Sequence, residues 1–290
     1  MLERIDAHHH LWRYSKEQYD WIGAGMERIT RDFSPSDLRV AAGSCGINGS
    51  VAVQACQSLV ETDWLLAQAE THNFICGVVG WAPIAGAEFT SVLERLTAHK
   101  KLKGLRHVIE AEPDDQFILR DDFNRGIKAL APTGIVYDIL IYEKHLPATI
   151  QFVDRHPNQI FVLDHIAKPR IKEHLLEPWR ANIKELAKRD NVYCKLSGMV
   201  TEADWNHWTI ADLKPYAETV LEAFGAHRLM FGSDWPVCLL ACDYGKLFAT
   251  AQHLASQLSA NERDQIFGGV AGKVYSLQVS RDVASVRQQR

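Results

Sequence analysis

Asp6, His8 and His10 occupy alternate positions in the run Ile5-Asp6-Ala7-His8-His9-His10-Leu11-Trp12. In a strand, that period of two sends all three side chains to one face and His9 to the other. Two imidazoles about 7 Å apart along a strand can converge on one metal ion or one carbonyl oxygen, which points to a metal-dependent hydrolase. Such a pair needs a further group. Asp234 follows the apolar Leu229-Met230-Phe231, and Pro236 stops the strand two residues later. An aspartate there can take a proton from water beside the two rings, assistance worth roughly 10²–10⁴ in rate. The alternative is that Asp234 caps the following turn.

Other ionisable groups gather at the ends of apolar runs. His165 closes Leu163-Asp164-His165 and is either a third ring at the site or a core histidine bonded to a backbone carbonyl. Arg106 and His107 follow Leu105, and they read equally as substrate contacts or as a structural network. Tyr137, Asp138, Tyr142, Lys195 and Ser197 stand in the same kind of position, with Arg106, His107, Tyr142 and Lys195 as candidate holders of substrate hydroxyls. Trp12, Trp81 and Trp235 lie close to strand ends, where aromatic walls line small-ligand sites, although each alone is commonly packing. His9 is structural on this reading. His72, His99, His145, His156, His174, His207, His227 and His253 fall on helices or their ends and are expected to be solvated. The segment from Trp12 to Phe33, with Tyr14, Tyr19, Trp21 and Arg31, is too long for a simple connection and reads as a binding loop or lid.

The elements that must position these groups alternate regularly. Apolar runs at 4–11, 49–55, 75–81, 103–109, 135–142, 159–165, 191–197 and 228–233 predict strands. Between them, helical spacing predicts helices at 61–72, 88–100, 122–131, 144–155, 176–189, 210–224 and 243–258, with one or two terminal helices from Asn261 to Leu277. Ser34-Pro35-Ser36-Asp37 supplies the cap, first-turn proline and early acid of a further helix. Continuous apolar strands favour a parallel sheet buried on both faces. Eight such units predict a (β/α)8 TIM barrel, an α/β fold whose chemistry collects at the C-terminal ends of the strands. No Gly-x-Gly-x-x-Gly follows the first strand, which counts against an open doubly wound sheet. One domain over 1–279 and a polar tail over 280–290 are expected.

The chain has 290 residues, 47% hydrophobic and 23% charged, with a net charge of −4. That is the composition of a soluble globular protein, and no basic stripe argues for nucleic acid. Lys100, Lys101 and Lys103 read as a solvated helix end. The N-terminus has no apolar h-region, and the uncharged stretch from Phe74 to Ala87 is too short to span a bilayer and contains Pro83. No membrane partner and a cytoplasmic location are expected. The six cysteines are scattered and read as free thiols. Cys238 and Cys242 resemble a zinc pair without a second pair to complete it.

Taken together, the first-strand run, Gly104-Leu105-Arg106-His107-Val108, Leu163-Asp164-His165-Ile166-Ala167-Lys168-Pro169 and Phe231-Gly232-Ser233-Asp234-Trp235-Pro236 resemble the amidohydrolase-2 group of the amidohydrolase superfamily. Within it they are similar to the sugar-lactone hydrolases of the L-fuconolactonase and L-rhamnonolactonase type. The resemblance implies a barrel with its site at the strand C-termini and hydrolysis of an aldonolactone to the aldonic acid. It implies that Asp234 activates water while His8, His10 and His165 surround the lactone carbonyl or bind a metal. With one divalent metal present, zinc first, His8, His10 and Asp234 are the ligand set. In the metal-free version the histidines donate hydrogen bonds to the oxyanion. Binuclear members carry a lysine at a strand end, whereas Lys103 lies at the start of its strand. The alternatives are a zinc-dependent decarboxylase of an unsaturated dicarboxylic acid and a non-catalytic binding protein on the same barrel.

Overall fold

Each of the eight apolar runs becomes a strand. The computed structural model describes residues 4–278, so the polar tail expected at 280–290 lies outside the described residues. The strands are β1 (Ile5–His9), β2 (Gly49–Val53), β3 (Ile75–Gly80), β4 (Leu102–Val108), β5 (Val136–Leu140), β6 (Phe161–Leu163), β7 (Val192–Leu196) and β8 (Leu229–Phe231). They pair in parallel in the order of the sequence. A His9–Trp235 bridge and the bond from His10 N to Trp235 O (2.6 Å) bring the ends of β1 and β8 together. The result is a (β/α)8 TIM barrel.

The helices α1 (Pro35–Gly43), α2 (Leu59–Thr71), α3 (Phe89–Thr97), α4 (Asp121–Leu130), α5 (Leu146–Asp154), α6 (Trp179–Leu186), α7 (Ile210–Phe224) and α8 (Tyr244–Leu254) follow their strands. Two short helices, α9 (Ala260–Asp264) and α10 (Val270–Val274), come last among the described residues. The Ser34 hydroxyl accepts from Asp37 N while Asp37 accepts from Ser34 N, a complete capping box at the start of α1. Each strand stops one or two residues before the end of its apolar run, because the chain leaves the ladder at the top of the barrel to build loops.

Two apolar layers divide the core. Ile5, Ala7, Val51, Val53, Val79, Val136, Val162 and Met230 fill the barrel beside Val270 and Ala271 of α10 and Tyr275 just after it. The larger layer joins the helices to the outside of the barrel. Lys103 lies at the start of β4 and donates to Ser276 O (3.3 Å), the end of the barrel opposite the strand C-termini. Among the described residues, no helix is long and apolar enough to cross a membrane.

His145 and His156 depart from the solvated state expected of them, since both are buried. His145 Nδ1 accepts from Tyr142 N (3.2 Å) and stabilises the turn before α5, while the His156 ring bonds Asn124 Oδ1 (2.8 Å). The His145 ring also meets Asp115 Oδ1 (3.3 Å), and like the His156–Asn124 bond this is a contact that spacing along one helix does not reveal.

Candidate active site

The period of two in β1 is interrupted. Asp6 pairs with Ser50 and His9 with Ala52, so one extra residue is fitted into β1 between them. Such a bulge re-aims the side chains beyond it. Asp6 therefore does not share a face with His8 and His10, contrary to the expectation from spacing. It faces the strand–helix layer and accepts from Ser233 N (2.8 Å), Ser233 Oγ (2.6 Å) and the hydroxyl of Tyr244 on α8 (2.9 Å). Burial pushes its carboxyl up to about 6 against these bonds. Asp6 thus pins the segment that follows β8. His9 points away from the site and bonds Ser50 Oγ (3.0 Å).

Beyond the bulge, His8 Nε2 and His10 Nε2 approach to 3.2 Å. Asp234 Oδ1 lies 3.3 Å from His10 Nε2, 3.7 Å from His8 Nε2 and 3.7 Å from His165 Nε2. All four residues are buried. Asp234 holds φ at +54°, with its N–H donating to His8 O (2.8 Å). That left-handed conformation is costly for a residue with a Cβ and is kept only where the surroundings enforce it. Gly232 makes the approach possible, because a Cβ there would sit 2.6 Å from His8 Cβ.

His165 opens a run of four residues with positive φ: His165 52°, Ile166 49°, Ala167 62° and Lys168 44°. Each costs roughly 1–2 kcal/mol in that region. Trp179 Nε1 on α6 donates to Ile166 O (2.7 Å) and braces the turn, and His165 Nδ1 bonds Ser197 Oγ (2.9 Å). Gly198, with φ of +69°, lies against the ring, where a Cβ would come within 2.6 Å of His165 Cβ.

Burial sets the protonation of the cluster. His8 is held well below the usual histidine value and His165 is lowered to about 4, each chiefly by desolvation, so both rings are neutral at pH 7. Burial alone would raise the Asp234 carboxyl, but the rings of His165 and His10 and the ammonium of Lys168 outweigh it and keep the carboxylate below its ordinary range. His10 Nδ1 lies 2.8 Å from Val53 O, a bond that needs the proton on Nδ1. In the tautomer that this bond selects, His10 Nε2 is the acceptor that faces His8 Nε2 at 3.2 Å.

Two imidazole nitrogens and a carboxylate oxygen facing one point are a donor set for a divalent metal. His8, His10 and Asp234 have ligand atoms within 4.8 Å of one another, and so do His8, Asp164 and His165. The lone pair on His10 Nε2 can accept from a protonated His8 Nε2 or bind a cation in its place. The residues fit one divalent ion. The isolated Cys238 and Cys242 are free buried thiols, pushed up by desolvation.

His10, His165 and Asp234 lie in the wall of a cavity of about 690 Å3, together with Arg106, Tyr142 and Trp205. Glu17, Gln18, Asp20, Trp21 and Met26 from the long loop after β1 also line it, and that loop is tied at its base by paired bonds between Trp12 and Phe33 (3.1 and 2.9 Å).

Five sequence candidates are not in that wall: His8, which is fully buried and meets His10 and Asp234 through Nε2, and four others. Trp12 is fully buried against Tyr19, Trp21 and Phe33, and Trp235 packs on Phe33. His107 is stacked on Phe117 and bonded to Glu112 Oε1 (2.6 Å). Lys195 is fully buried beneath His8, with Nζ 2.5 Å from Asp138 Oδ2 and 2.9 Å from Asp164 Oδ1. Strand-end placement does not say whether a side chain reaches the cavity or stops in the layer below. Conversely, Glu110 and Glu202 line the cavity without having been singled out. Glu110 lies three residues past His107, which is a weak signal. Glu202 stands in an irregular segment after β7 and had none.

Comparison with known proteins shows the family. The amidohydrolase family model matches residues 5–277, so the chain belongs to the amidohydrolase family. It is 40% identical to an L-fucono-1,5-lactonase of Burkholderia multivorans, over 96% of this chain and 98% of that one. An L-fucono-1,5-lactonase of Burkholderia ambifaria is 34% identical, over 96% and 97% of the two chains. A crystal structure of an amidohydrolase from Burkholderia multivorans with bound zinc superimposes with a TM-score of 0.91 at 40% identity, covering 95% of this chain and all of that one.

Proposed function

We propose that this enzyme hydrolyses a sugar lactone to the open aldonic acid, with a 1,5-lactone of the L-fucono type as the first substrate to test. One observation carries the reading: an ionised Asp234 stands 3.3 Å from His10 Nε2 in the wall of a cavity, in a chain 40% identical over nearly its whole length to an L-fucono-1,5-lactonase.

The chemistry follows from the groups present. Asp234 takes a proton from water as the water oxygen bonds to the lactone carbonyl carbon, and the carbonyl π pair moves onto oxygen. Neutral His165 and His8 stand beside that oxygen, and an N–H donated to it stabilises the developing charge; losing one such donor typically costs roughly 10²–10³ in kcat. When the tetrahedral centre collapses, the bond to the ring oxygen breaks and Asp234 returns its proton to that leaving oxygen. The product acid then ionises in solvent. When bound by His8, His10 and Asp234, a divalent metal, zinc in the Burkholderia multivorans relative, supplies Lewis-acid polarisation of the carbonyl. Arg106 and Tyr142, both in the cavity wall, hold ring hydroxyls. His107, Lys195, Trp12 and Trp235 support the wall from behind.

A panel of sugar lactones followed with a pH indicator tests the proposal, since every turnover releases acid whatever the sugar. Acid release above the spontaneous rate on at least one is expected. No acceleration on any would overturn it.

A further inference from the structure

The left-handed turn after β6 delivers two side chains to the cavity, His165 and, three residues on, Lys168. The reaction described above uses only the first. Lys168 N donates to His165 O (2.8 Å), so the same turn sets both positions. The Lys168 ammonium lies 2.5 Å from Glu110 Oε1 and 5.3 Å from the centre of the Tyr142 ring. Burial works against its charge, but Glu110 and Glu202 more than offset that, and its pKa stands above the ordinary lysine value.

The two carboxylates differ. Glu110 spends one oxygen on Lys168, while its Oε2 is buried with no hydrogen-bond donor. Glu202 is raised to about 7, by burial first and then by Glu110 and Asp234 against the pull of Lys168. Near neutral pH it can therefore either accept or donate a hydrogen bond. Lys168, Glu110 and Glu202 all line the cavity that holds His10 and Asp234.

A structural ion pair is a poor account of this cluster. Apolar residues of similar volume commonly stabilise a fold as well as a buried pair does, and they would not require four consecutive left-handed residues. What the cluster offers is an acceptor in contact with a cationic donor, and a second carboxylate lining the same cavity. Neighbouring hydroxyls on a sugar ring are each donor and acceptor, and they complement those groups: both oxygens accept from Lys168, one O–H donates to Glu110 and the other to Glu202.

We propose that Lys168, Glu110 and Glu202 form a clamp for a vicinal diol, which restricts the substrate to lactones bearing two neighbouring ring hydroxyls. The inference rests on the lactone reading for its substrate but not for its geometry. A site built to bond hydroxyls discriminates strongly against an analogue that lacks them, because its own polar groups are left unpaired.

The test compares kcat/KM on the best sugar lactone of the panel with that on δ-valerolactone, the six-membered ring without hydroxyls. The wild-type ratio is expected to exceed 100 and to fall at least tenfold in Lys168→Met, mainly through KM, with partial recovery in Lys168→Arg. Glu202→Gln, which keeps the shape of the side chain, is expected to shift the ratio the same way and serves if Lys168→Met does not fold. A wild-type ratio near one, or variants that lose activity equally on both lactones, overturns the clamp. Calorimetric binding of aldonates against 5-hydroxypentanoate separates the two proposals because it needs no turnover. If no lactone is hydrolysed, the lactonase reading falls. The clamp falls in that case if wild type and the two variants bind every aldonate equally, or if no aldonate binds more tightly than 5-hydroxypentanoate.

Discussion

Lys195 Nζ lies 3.1 Å from His8 Nδ1, on the edge of the imidazole opposite the one that faces His10 and Asp234. Asp164 Oδ1 flanks the same nitrogen at 3.4 Å. When Nδ1 accepts from Lys195, Nε2 carries the proton and donates into the site. When Nδ1 donates to Asp164, Nε2 offers a lone pair to a cation. A buried lysine behind the ring thus helps set what the ring presents in front.

Lys195→Met tests that support. The lysine neutralises Asp138 and Asp164 in a site closed to solvent, with the Tyr275 hydroxyl also donating to Asp138 (2.8 Å). Removing one member of a buried ion pair costs about 3–5 kcal/mol because the partner is left uncompensated. Denaturant unfolding should show a loss of that size, together with reduced turnover.

Asp234→Asn preserves the shape of the side chain and its place after β8. The thermal transition should stay within a few degrees of wild type, while kcat on the best lactone falls by about 10²–10⁴. A variant that turns over at near-parental rate would remove Asp234 from the proton-transfer role.

The donor set predicts metal content. Wild type is expected to carry one divalent ion per chain, removable by chelation, and His10→Ala to carry almost none; elemental analysis of both proteins checks this. Full lactone turnover by metal-stripped wild type would assign the histidines to hydrogen bonding alone.

Acidification should act through His156. Burial first, then Lys128 and Arg155, lower its folded-state value to about 4, against about 6.5 in an unfolded chain. Between those values the unfolded state binds more protons, so the contribution of this residue to stability is complete above about pH 6.5 and declines as the pH falls toward 4. His156→Gln loses the bond to Asn124 and should melt below wild type at pH 7.5. By pH 5 that gap should narrow, because the substituted protein has no ring to keep neutral. Parallel melting curves at the two pH values, with a constant gap, would contradict the assignment.

Much of the architecture was legible in the residues themselves, because eight strands buried on both faces must each be a continuous apolar run, and the helices between them must carry an apolar stripe. The types of chemical group were legible as well: imidazoles ending β1 and β6 and an aspartate ending β8 have no function in an apolar core. What the sequence could not contain was direction. The bulge that parts Asp6 from His8 depends on the register of β2, and the left-handed turns at His165 and Asp234 exist only because Trp179, Gly198 and Gly232 make room for them or hold them. Whether Lys195 reaches a substrate or stops beneath His8, and whether Glu202 reaches the cavity, was decided by contacts between strands and loops distant along the chain. Periodicity reports the faces of one element; the depth at which a side chain ends is a property of the neighbours packed against it.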